Sequence, residues 1–339
     1  MSVSEDFKQF LVNIRVDNSE SISDRYGQIT KALNKKFRNT ESTTANTLQV
    51  GSYGRFTGIR GISDLDMLYI MPGCKWETYK DKQSQLLKDT KDAILARYPT
   101  TDVKVDSLVV VVKYQNFKVE VQPVFEQDDG SFKYPYTHNG GSWRITKPKD
   151  EINAMKEVNE AKNKNLRPLC KMARAWKNEH GVAMGGLLID TLAHNFLKGT
   201  TDYDKTGPLY YDEMCRDFFE YLGNLPKQER WSALGSNQHV KVKKNFQRAA
   251  KKLLNSVLKP SMMATTTKDG GKFSGVVTLK VQRTLRQSPK IARLGAIPKS
   301  LLLTSTRWIS GIIWPLTAMF PKMGTANIRS LRCYASPFL

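Results

Sequence analysis

The chain has 339 residues, of which 40% are hydrophobic and 25% charged, an ordinary composition for one large or two modest globular domains. Its formal net charge of +21 favours an anionic partner, whether a nucleoside triphosphate, a nucleic acid or an acidic membrane. Scattered cysteines and histidines without a CxxC pair give little support to a zinc site, and the chain start has no secretory pattern, so a cytoplasmic protein with reduced cysteines is expected.

The first part of the chain predicts a small α/β unit. Helical periodicity, a glycine-rich turn and β-rich runs follow one another, with a hairpin around Gln115-Asn116. In chain order, the predicted elements are helical residues 5–38, a strand at Leu48–Val50, a buried strand at Asp66–Ile70, a helix over 76–97, and β-rich runs at Lys104–Tyr114 and Phe117–Phe125. This order indicates a mixed sheet, and we assign residues 1–150 to one α/β domain that includes the N-terminal helix.

The second part predicts a helical lobe over residues 151–260. Its helices are expected at Leu166–Glu179, Gly185–Leu197, Tyr210–Leu222 and Val240–Val257. Basic residues within 241–252 are interpreted as a solvated helix face, with contact to a regulatory protein as the alternative.

Residues 261–339 differ in composition from the rest of the chain. They contain 12 Lys or Arg residues and one acid, Asp269. The apolar run Trp308–Phe320 is interrupted by Pro315 and is short for a membrane span, so no stable span is expected. Three interpretations stay open for this basic tail: an interfacial anchor, a nucleic-acid-binding tail, or a segment without an evolved fold that arises from an altered reading frame.

The most informative segment combines a Gly-Ser turn with two acids. Gly51-Ser52 follows a strand, and such a turn exposes backbone N–H groups and a hydroxyl that suit a phosphate. Asp64 and Asp66 flank Leu65 on the next strand, so both carboxylates lie on one face. A bound cation offsets the repulsion between them, and two metal ions stabilise both oxygens of a phosphoryl transfer.

Glu120 is the predicted third carboxylate of this site. It lies between two valines in a β-rich run that is expected to pair beside the first strand. Asp102 and Asp106 are rival third acids, although they lie at a strand entrance where acids of turns are common. The three acids Asp64, Asp66 and Glu120 are therefore the candidate catalytic and metal-binding residues.

These motifs resemble those of the polymerase-β-like nucleotidyltransferase superfamily. Three further segments are similar to bacterial CD-NTases, relatives of cyclic GMP–AMP synthase and oligoadenylate synthetase: Gly141–Pro148, Leu169–Trp176, and Gly235–Asn237 with Val240 and Phe246. The likeness covers roughly residues 1–257. It implies an α/β (α+β) fold with a nucleotidyltransferase palm, a mixed sheet and a helical second lobe.

The resemblance also implies roles for individual residues. Asp64, Asp66 and Glu120 would bind two Mg²⁺ ions, with Mn²⁺ as an alternative, and Gly51, Ser52 and Gln49 would line the donor triphosphate pocket. The family's phosphate-binding lysine falls at Arg174, with Lys171 one turn earlier on the same helix face. The family often has a small hydroxyl residue where this chain has Gly186.

The function that the resemblance implies is synthesis of a cyclic oligonucleotide second messenger from ATP, GTP or pyrimidine triphosphates in bacterial anti-phage defence, without a need for nucleic acid. One alternative is a nucleotidyltransferase that modifies an RNA end or a protein. Another is a non-catalytic, basic RNA-binding protein on the same scaffold. Trp143, Tyr134 and Tyr136 are weaker candidates for stacking on a base, because aromatic residues beside Pro and Gly are more often packing residues.

Overall fold

The computed structural model describes residues 2–258 of the chain. The predictions made for the basic tail over 261–339, including the apolar run Trp308–Phe320, lie outside the described residues. No helix among residues 2–258 is long and apolar enough to cross a membrane.

A mixed sheet forms the first lobe, which confirms the predicted α/β palm. Its strands are β1 (Thr47–Gln49), β2 (Asp64–Ile70), β3 (Asp102–Asp106), β4 (Val109–Lys113), β5 (Lys118–Glu126), β6 (Phe132–Tyr136) and β7 (Ser142–Thr146). Five of them follow the order β1-β2-β5-β4-β3, while β6 pairs with β5 and β7 with β6. The β2–β5 pair is parallel and the other pairs are antiparallel. The parallel pair therefore lies at the centre of the lobe.

Helices cover one face of the sheet and build the second lobe. They are α1 (Val3–Asn13), α2 (Ser19–Arg38), α3 (Gly51–Gly54), α4 (Trp76–Tyr79), α5 (Gln83–Arg97), α6 (Pro148–Ala161), α7 (Leu166–Glu179), α8 (Gly186–Lys198), α9 (Tyr211–Asn224) and α10 (Phe246–Leu258). A small hairpin of β8 (Arg230–Ser232) and β9 (His239–Lys241) lies before α10.

Several predicted boundaries are wrong for local reasons. The helical run 5–38 is divided between α1 and α2, because Asn18 before α2 adopts a left-handed conformation with φ of 61°. The predicted strand Lys104–Tyr114 is two strands, β3 and β4, that turn at Ser107. The predicted helix 76–97 is divided into α4 and α5.

The last predicted helix begins too early. Val240 belongs to β9, and Gly235–Asn237 is the turn that joins β8 to β9 rather than a helical segment. The helix begins at Phe246, where the Asn245 side chain accepts a hydrogen bond from the backbone N–H of Arg248 at 3.1 Å. Such a cap satisfies a helix N–H that has no partner within the helix.

Two large cores position the lobes, and a small third core lies on the carboxylate face of the sheet. In the palm, α2 and α5 pack on the sheet face that contains Leu65 and Met67, which are 2% and 1% exposed. The helical lobe has its own core, which also includes α1, since Phe7 packs edge to face on Tyr211 with 5.9 Å between ring centroids. The boundary at residue 150 stays a prediction.

Candidate active site

The structure brings the three predicted carboxylates to one face of the sheet. In the parallel β2–β5 pair, Asp66 lies opposite Glu120, and Asp64 lies opposite Lys118. Residues directly opposite each other in a sheet project to the same face. The intervening Leu65 is buried in the palm core, on the other face. Asp64, Asp66 and Glu120 therefore converge on the side of the sheet that α2 and α5 leave uncovered.

The carboxylate cluster is short of positive charge. Lys118 Nζ lies 2.6 Å from Glu120 Oε1 and 3.4 Å from Asp64 Oδ1, so this ammonium bridges two of the three acids. Burial and then the neighbouring Glu120 raise the pKa of Asp66 to about 6, although Arg55 opposes the shift. The raised pKa means that ionising Asp66 beside the two other acids is costly. A bound cation would lower that cost, so the cluster is a candidate cation site.

The donor chemistry fits a divalent cation. Carboxylate oxygens are ligands that Mg²⁺ prefers, and the Lys118 ammonium already lies between two of them. Within residues 2–258, no group of three or more His, Cys, Asp or Glu side chains is arranged so that it could hold a metal ion as it stands. The acids thus converge without forming a complete coordination shell, and their role as metal ligands stays a prediction.

The Gly-Ser turn lies directly against this cluster. The backbone N–H of Val50 donates to the Asp66 carbonyl at 3.1 Å, which fixes the start of the turn on β2. Gly51 has φ of +63°, and a Cβ at this position would overlap the Asp66 carboxylate. Only glycine therefore allows the backbone of α3, with Ser52, to approach the acids so closely. The arrangement suits a phosphate held beside a carboxylate-bound cation.

The rival acids lie elsewhere. Asp102 and Asp106 are on β3, the edge strand, and β4 separates them from β5. Asp102 forms ion pairs with Lys104 at 3.2 Å and Lys113 at 3.6 Å. Glu120 is thus the third acid that the fold places with Asp64 and Asp66.

A buried ion-pair cluster joins the turn to the helical lobe. Arg55, one residue after α3, donates from Nε to Asp190 Oδ2 at 2.9 Å and from Nη1 to Glu151 Oε2 at 2.8 Å. Asp190 is fully buried on α8 and also accepts from the Thr57 hydroxyl at 2.9 Å. Burial alone would raise the pKa of Asp190, but Arg174 and Arg55 outweigh it and hold that pKa below its ordinary value. The cluster fixes the lobes beside the carboxylates.

Sequence reasoning missed this cluster, although a signal for it was present. Asp190 stands within the apolar run Leu187–Leu192 of a predicted buried helix. An unpaired buried carboxylate is costly, so an acid in such a run indicates a cationic partner. The sequence does not say that this partner is Arg55.

Arg174 belongs to the same cluster. Its Nη2 contacts both carboxylate oxygens of Asp190, at 2.7 and 2.8 Å, and the Gly186 carbonyl at 3.0 Å. A Cβ at Gly186 would overlap the Arg174 guanidinium. This chain departs from the family pattern twice, with Arg174 in place of a lysine and Gly186 in place of a hydroxyl residue. The two departures compensate each other, because the larger Arg174 side chain fills the space that a side chain at position 186 would need. Contact between Arg174 and a nucleotide stays a prediction.

This compensation predicts energetic coupling between the two positions. Gly186→Ser is expected to destabilise the wild-type protein by about 1–3 kcal/mol, because the overpacked guanidinium has no room to move. The same change should have a smaller effect beside Arg174→Lys, with a coupling of at least about 0.5 kcal/mol. Chemical denaturation of the four proteins of the double-mutant cycle measures this coupling.

Gly185→Ser is the matched control for that cycle. Gly185 is the N-cap of α8 and has open space around it, so serine there should leave the free energy of unfolding unchanged or raise it slightly. Strictly additive effects at positions 174 and 186 would contradict the compensation.

Lys171 is the second predicted phosphate ligand on α7. Burial and then the guanidinium groups of Arg15 and Arg167 lower the pKa of its ammonium. The ion pairs of residues 2–258 include no carboxylate partner for any of these three cations. Three neighbouring cations without an acid indicate a place for an anion.

The aromatic candidates for base stacking make packing contacts. Trp143 packs against Trp76 and Phe125, with 5.0 and 5.6 Å between ring centroids, and its Nε1 donates to the Lys80 carbonyl at 2.7 Å. Tyr134 packs beside the small core on the carboxylate face, and the Tyr136 ring lies under Arg144. Packing was the favoured interpretation for these side chains.

The fold is that of polymerase-β-like nucleotidyltransferases, and solved CD-NTase structures share it. The c-UMP-AMP synthase CdnE of Rhodothermus marinus superposes with a TM-score of 0.56 at 14% identity, covering 76% of this chain and 97% of that chain. The E. coli CdnC:HORMA complex gives a TM-score of 0.51 at 15% identity, covering 65% and 70%.

Sequence comparison points to one group among the proteins that share this fold. Residues 1–159 match the Second Messenger Oligonucleotide or Dinucleotide Synthetase domain. A cyclic AMP-AMP-AMP synthase of Acinetobacter sp. is 26% identical over 207 residues, or 57% of this chain. These matches confirm the resemblance to bacterial CD-NTases. The chain spans 58% of the length of that curated relative.

Proposed function

We propose that the chain is a Mg²⁺-dependent nucleotidyltransferase that joins nucleoside triphosphates into a cyclic oligonucleotide second messenger. The observation that carries the proposal is the β2–β5 register, which sets Glu120 opposite Asp66 with Asp64 on the same face. The match of residues 1–159 to a second-messenger synthetase domain supports the same chemistry. The reaction is attack of a ribose hydroxyl on an α-phosphate with release of pyrophosphate.

Each part of the site has a task in this reaction. Asp64, Asp66 and Glu120 hold the divalent ions, with Mn²⁺ able to replace Mg²⁺. Bound ions supply charge stabilisation for the attacking and leaving oxygens. The three carboxylates would hold those ions beside the Gly51 turn, which approaches the Asp66 carboxylate closely.

The phosphates of the donor are held by the turn and by α7. Backbone N–H groups of α3 and the Ser52 hydroxyl would bind an anion at the end of β1. Gln49 was also predicted for this pocket, but the register sets it opposite Met67, on the other face of the sheet from Asp66. Lys171 supplies a positive charge, and Arg15 and Arg167 strengthen the field there. Arg174 is held by Asp190 at 2.7 Å, so it contributes to phosphate binding mainly by positioning α7 and through its charge.

The biological role that we propose is the one that the resemblance to bacterial CD-NTases implies. A cytoplasmic enzyme that answers phage infection with a cyclic nucleotide suits the second-messenger chemistry. The E. coli CdnC relative is in complex with HORMA, and we propose that this chain also responds to a regulatory protein rather than to nucleic acid. ATP and GTP are the first substrates to test, followed by the pyrimidine triphosphates.

The test is incubation of the full chain with Mg²⁺ and four labelled nucleoside triphosphates, followed by separation of the products. Small products that resist phosphatase are expected, and removal of Mg²⁺ with a chelator should stop their formation. Label transferred to RNA or protein would instead indicate an enzyme that modifies an RNA end or a protein. Salt-sensitive RNA binding without any turnover would indicate a non-catalytic binding protein.

A further inference from the structure

One lysine lies among the carboxylates of the candidate active site. Lys118 Nζ is 2.6 Å from Glu120 Oε1 and 3.4 Å from Asp64 Oδ1, and within residues 2–258 these two acids are its ion-pair partners. The proposed reaction gives this side chain no task. The divalent ions of that reaction need the same carboxylate oxygens, so the ammonium and the ions compete for them.

The backbone holds Lys118 at this place. In the parallel register, Lys118 lies directly opposite Asp64 and two positions before Glu120, so the three side chains project to one face of the sheet. Its backbone N–H donates to the Ser63 carbonyl at 2.8 Å, which ties this end of β5 to β2. The preceding Phe117 is buried in the palm core. The Cα of Lys118 is therefore fixed beside the acids, and only its side chain is free to move.

The ion pairs of Lys118 are suited to exchange rather than to permanent support. The side chains of Lys118, Glu120 and Asp64 are 34%, 27% and 52% exposed, so water reaches both contacts. Ion pairs exposed to this degree add little to stability. The ion pair between Arg55 and Asp190, in contrast, is 5% and 0% exposed. Moving Lys118 away from the acids thus costs much less than opening that buried cluster.

A displaced Lys118 needs another anion. A divalent ion held by the carboxylates repels the ammonium, because both are positive. Opposite Lys118 on β4 stands a second cation, Lys113. In the proposed function, the anion that enters this face is the triphosphate held by the Gly51 turn. Lysine suits such a ligand, since its flexible stem carries a compact charge that binds phosphate.

We infer that Lys118 couples the binding of divalent ions to the binding of a nucleoside triphosphate. In the free protein, its ammonium holds Glu120 and Asp64 and weakens their binding of divalent ions. A triphosphate draws the ammonium away from the two acids and so raises their affinity for the ions. The inference rests on the proposed function, because it requires ions and triphosphate on the same face of the sheet. Lys118 thereby favours loading of the ions together with the substrate.

The test is Mn²⁺ binding to the full chain, followed by electron paramagnetic resonance with and without a non-hydrolysable ATP analogue. Without the analogue, Lys118→Met should bind Mn²⁺ at least about tenfold more tightly than wild type, a gain of about 1.4 kcal/mol. The analogue should raise the Mn²⁺ affinity of the wild type. That rise should be smaller in Lys118→Met, again by at least about tenfold, after subtraction of the Mn²⁺ that the analogue binds without protein.

Two further variants separate the charge of Lys118 from its shape. Lys118→Arg keeps the positive charge and should bind Mn²⁺ nearly as the wild type does. Lys31→Met removes a lysine of similar exposure, 39%, that pairs with Glu41 at 2.9 Å, and it should leave Mn²⁺ binding unchanged. Because Lys118 is partly exposed and methionine keeps an unbranched stem, the denaturation midpoint of Lys118→Met should stay near that of wild type.

The possible outcomes are distinct. Equal Mn²⁺ affinity of wild type and Lys118→Met without the analogue, or an equal rise when it is added, would overturn the inference. A tenfold gain that Lys118→Arg reproduces would show that the charge of Lys118 is not the cause. Consumption of nucleoside triphosphates is measured separately, and its absence in wild type would sink the proposed function while the Mn²⁺ titrations still report on Lys118. Absence of Mn²⁺ binding in wild type and Lys118→Met alike would contradict both.

Discussion

Asp66→Asn is expected to lower Mg²⁺-dependent consumption of nucleoside triphosphates by about 10²–10³-fold, the usual effect of removing one preorganised electrostatic group from a catalytic site. Asp66 lies opposite Glu120 and against the Gly51 turn, so its carboxylate is the one that joins the metal site to the phosphate site. Initial rates with labelled ATP and GTP measure the loss.

The same substitution should leave the metal-free protein at least as stable as wild type. Burial and Glu120 raise the pKa of Asp66 to about 6, so the ionised carboxylate destabilises the fold at pH 7 by an amount on the order of 2–3 kcal/mol. Asparagine removes this charge without changing the size of the side chain. Chemical denaturation of the metal-free variant therefore separates lost catalysis from lost folding.

Asp102→Asn is the control for both measurements. This rival acid lies on the edge strand and pairs with lysines, so its loss should leave the rate nearly unchanged. Wild-type turnover by the Asp66→Asn variant would show that the carboxylate face is not the active site.

Asp190→Asn is expected to lower the free energy of unfolding by about 3–5 kcal/mol, because it leaves Arg55 and Arg174 buried with too little negative charge. Asp190 is fully buried and accepts hydrogen bonds from both guanidinium groups and from Thr57. Asparagine preserves the shape of the side chain, so the loss reports on charge rather than on a cavity. Denaturation of the full chain measures it.

Asp92→Asn supplies the comparison for Asp190→Asn. Asp92 is exposed on α5, and a change of charge there should stay within about 0.5 kcal/mol. Equal stability of the Asp190→Asn and Asp92→Asn proteins would show that the ion-pair cluster does not hold the lobes together.

The position of the three acids could be predicted from the sequence because strand geometry is simple. Alternation along β2 places Asp64 and Asp66 on one face, and the apolar neighbours of Glu120 identify it as part of another buried strand. The helices α4 and α5 and the strands β3 and β4 lie between β2 and β5 along the chain, so only the sheet order shows that the two strands are neighbours. The structure adds the parallel register and the Lys118 bridge, which no local pattern indicates.

The interaction between the lobes could not be predicted in this way. Arg55 and Asp190 are 135 positions apart, and only tertiary packing brings them together. The turns at Asn18 and Ser107 were also missed, because left-handed residues other than glycine leave a weak signal in composition. The compensation between Arg174 and Gly186 becomes visible only when the guanidinium is seen to fill the space beside the glycine.

Binding of Mn²⁺ to the full chain, followed by electron paramagnetic resonance, tests the central claim most directly. Wild-type protein should bind the ion, Glu120→Gln should weaken binding at least about tenfold, and Asp102→Asn should leave it unchanged. Equal binding by the wild-type and Glu120→Gln proteins would contradict a metal site built from β2 and β5.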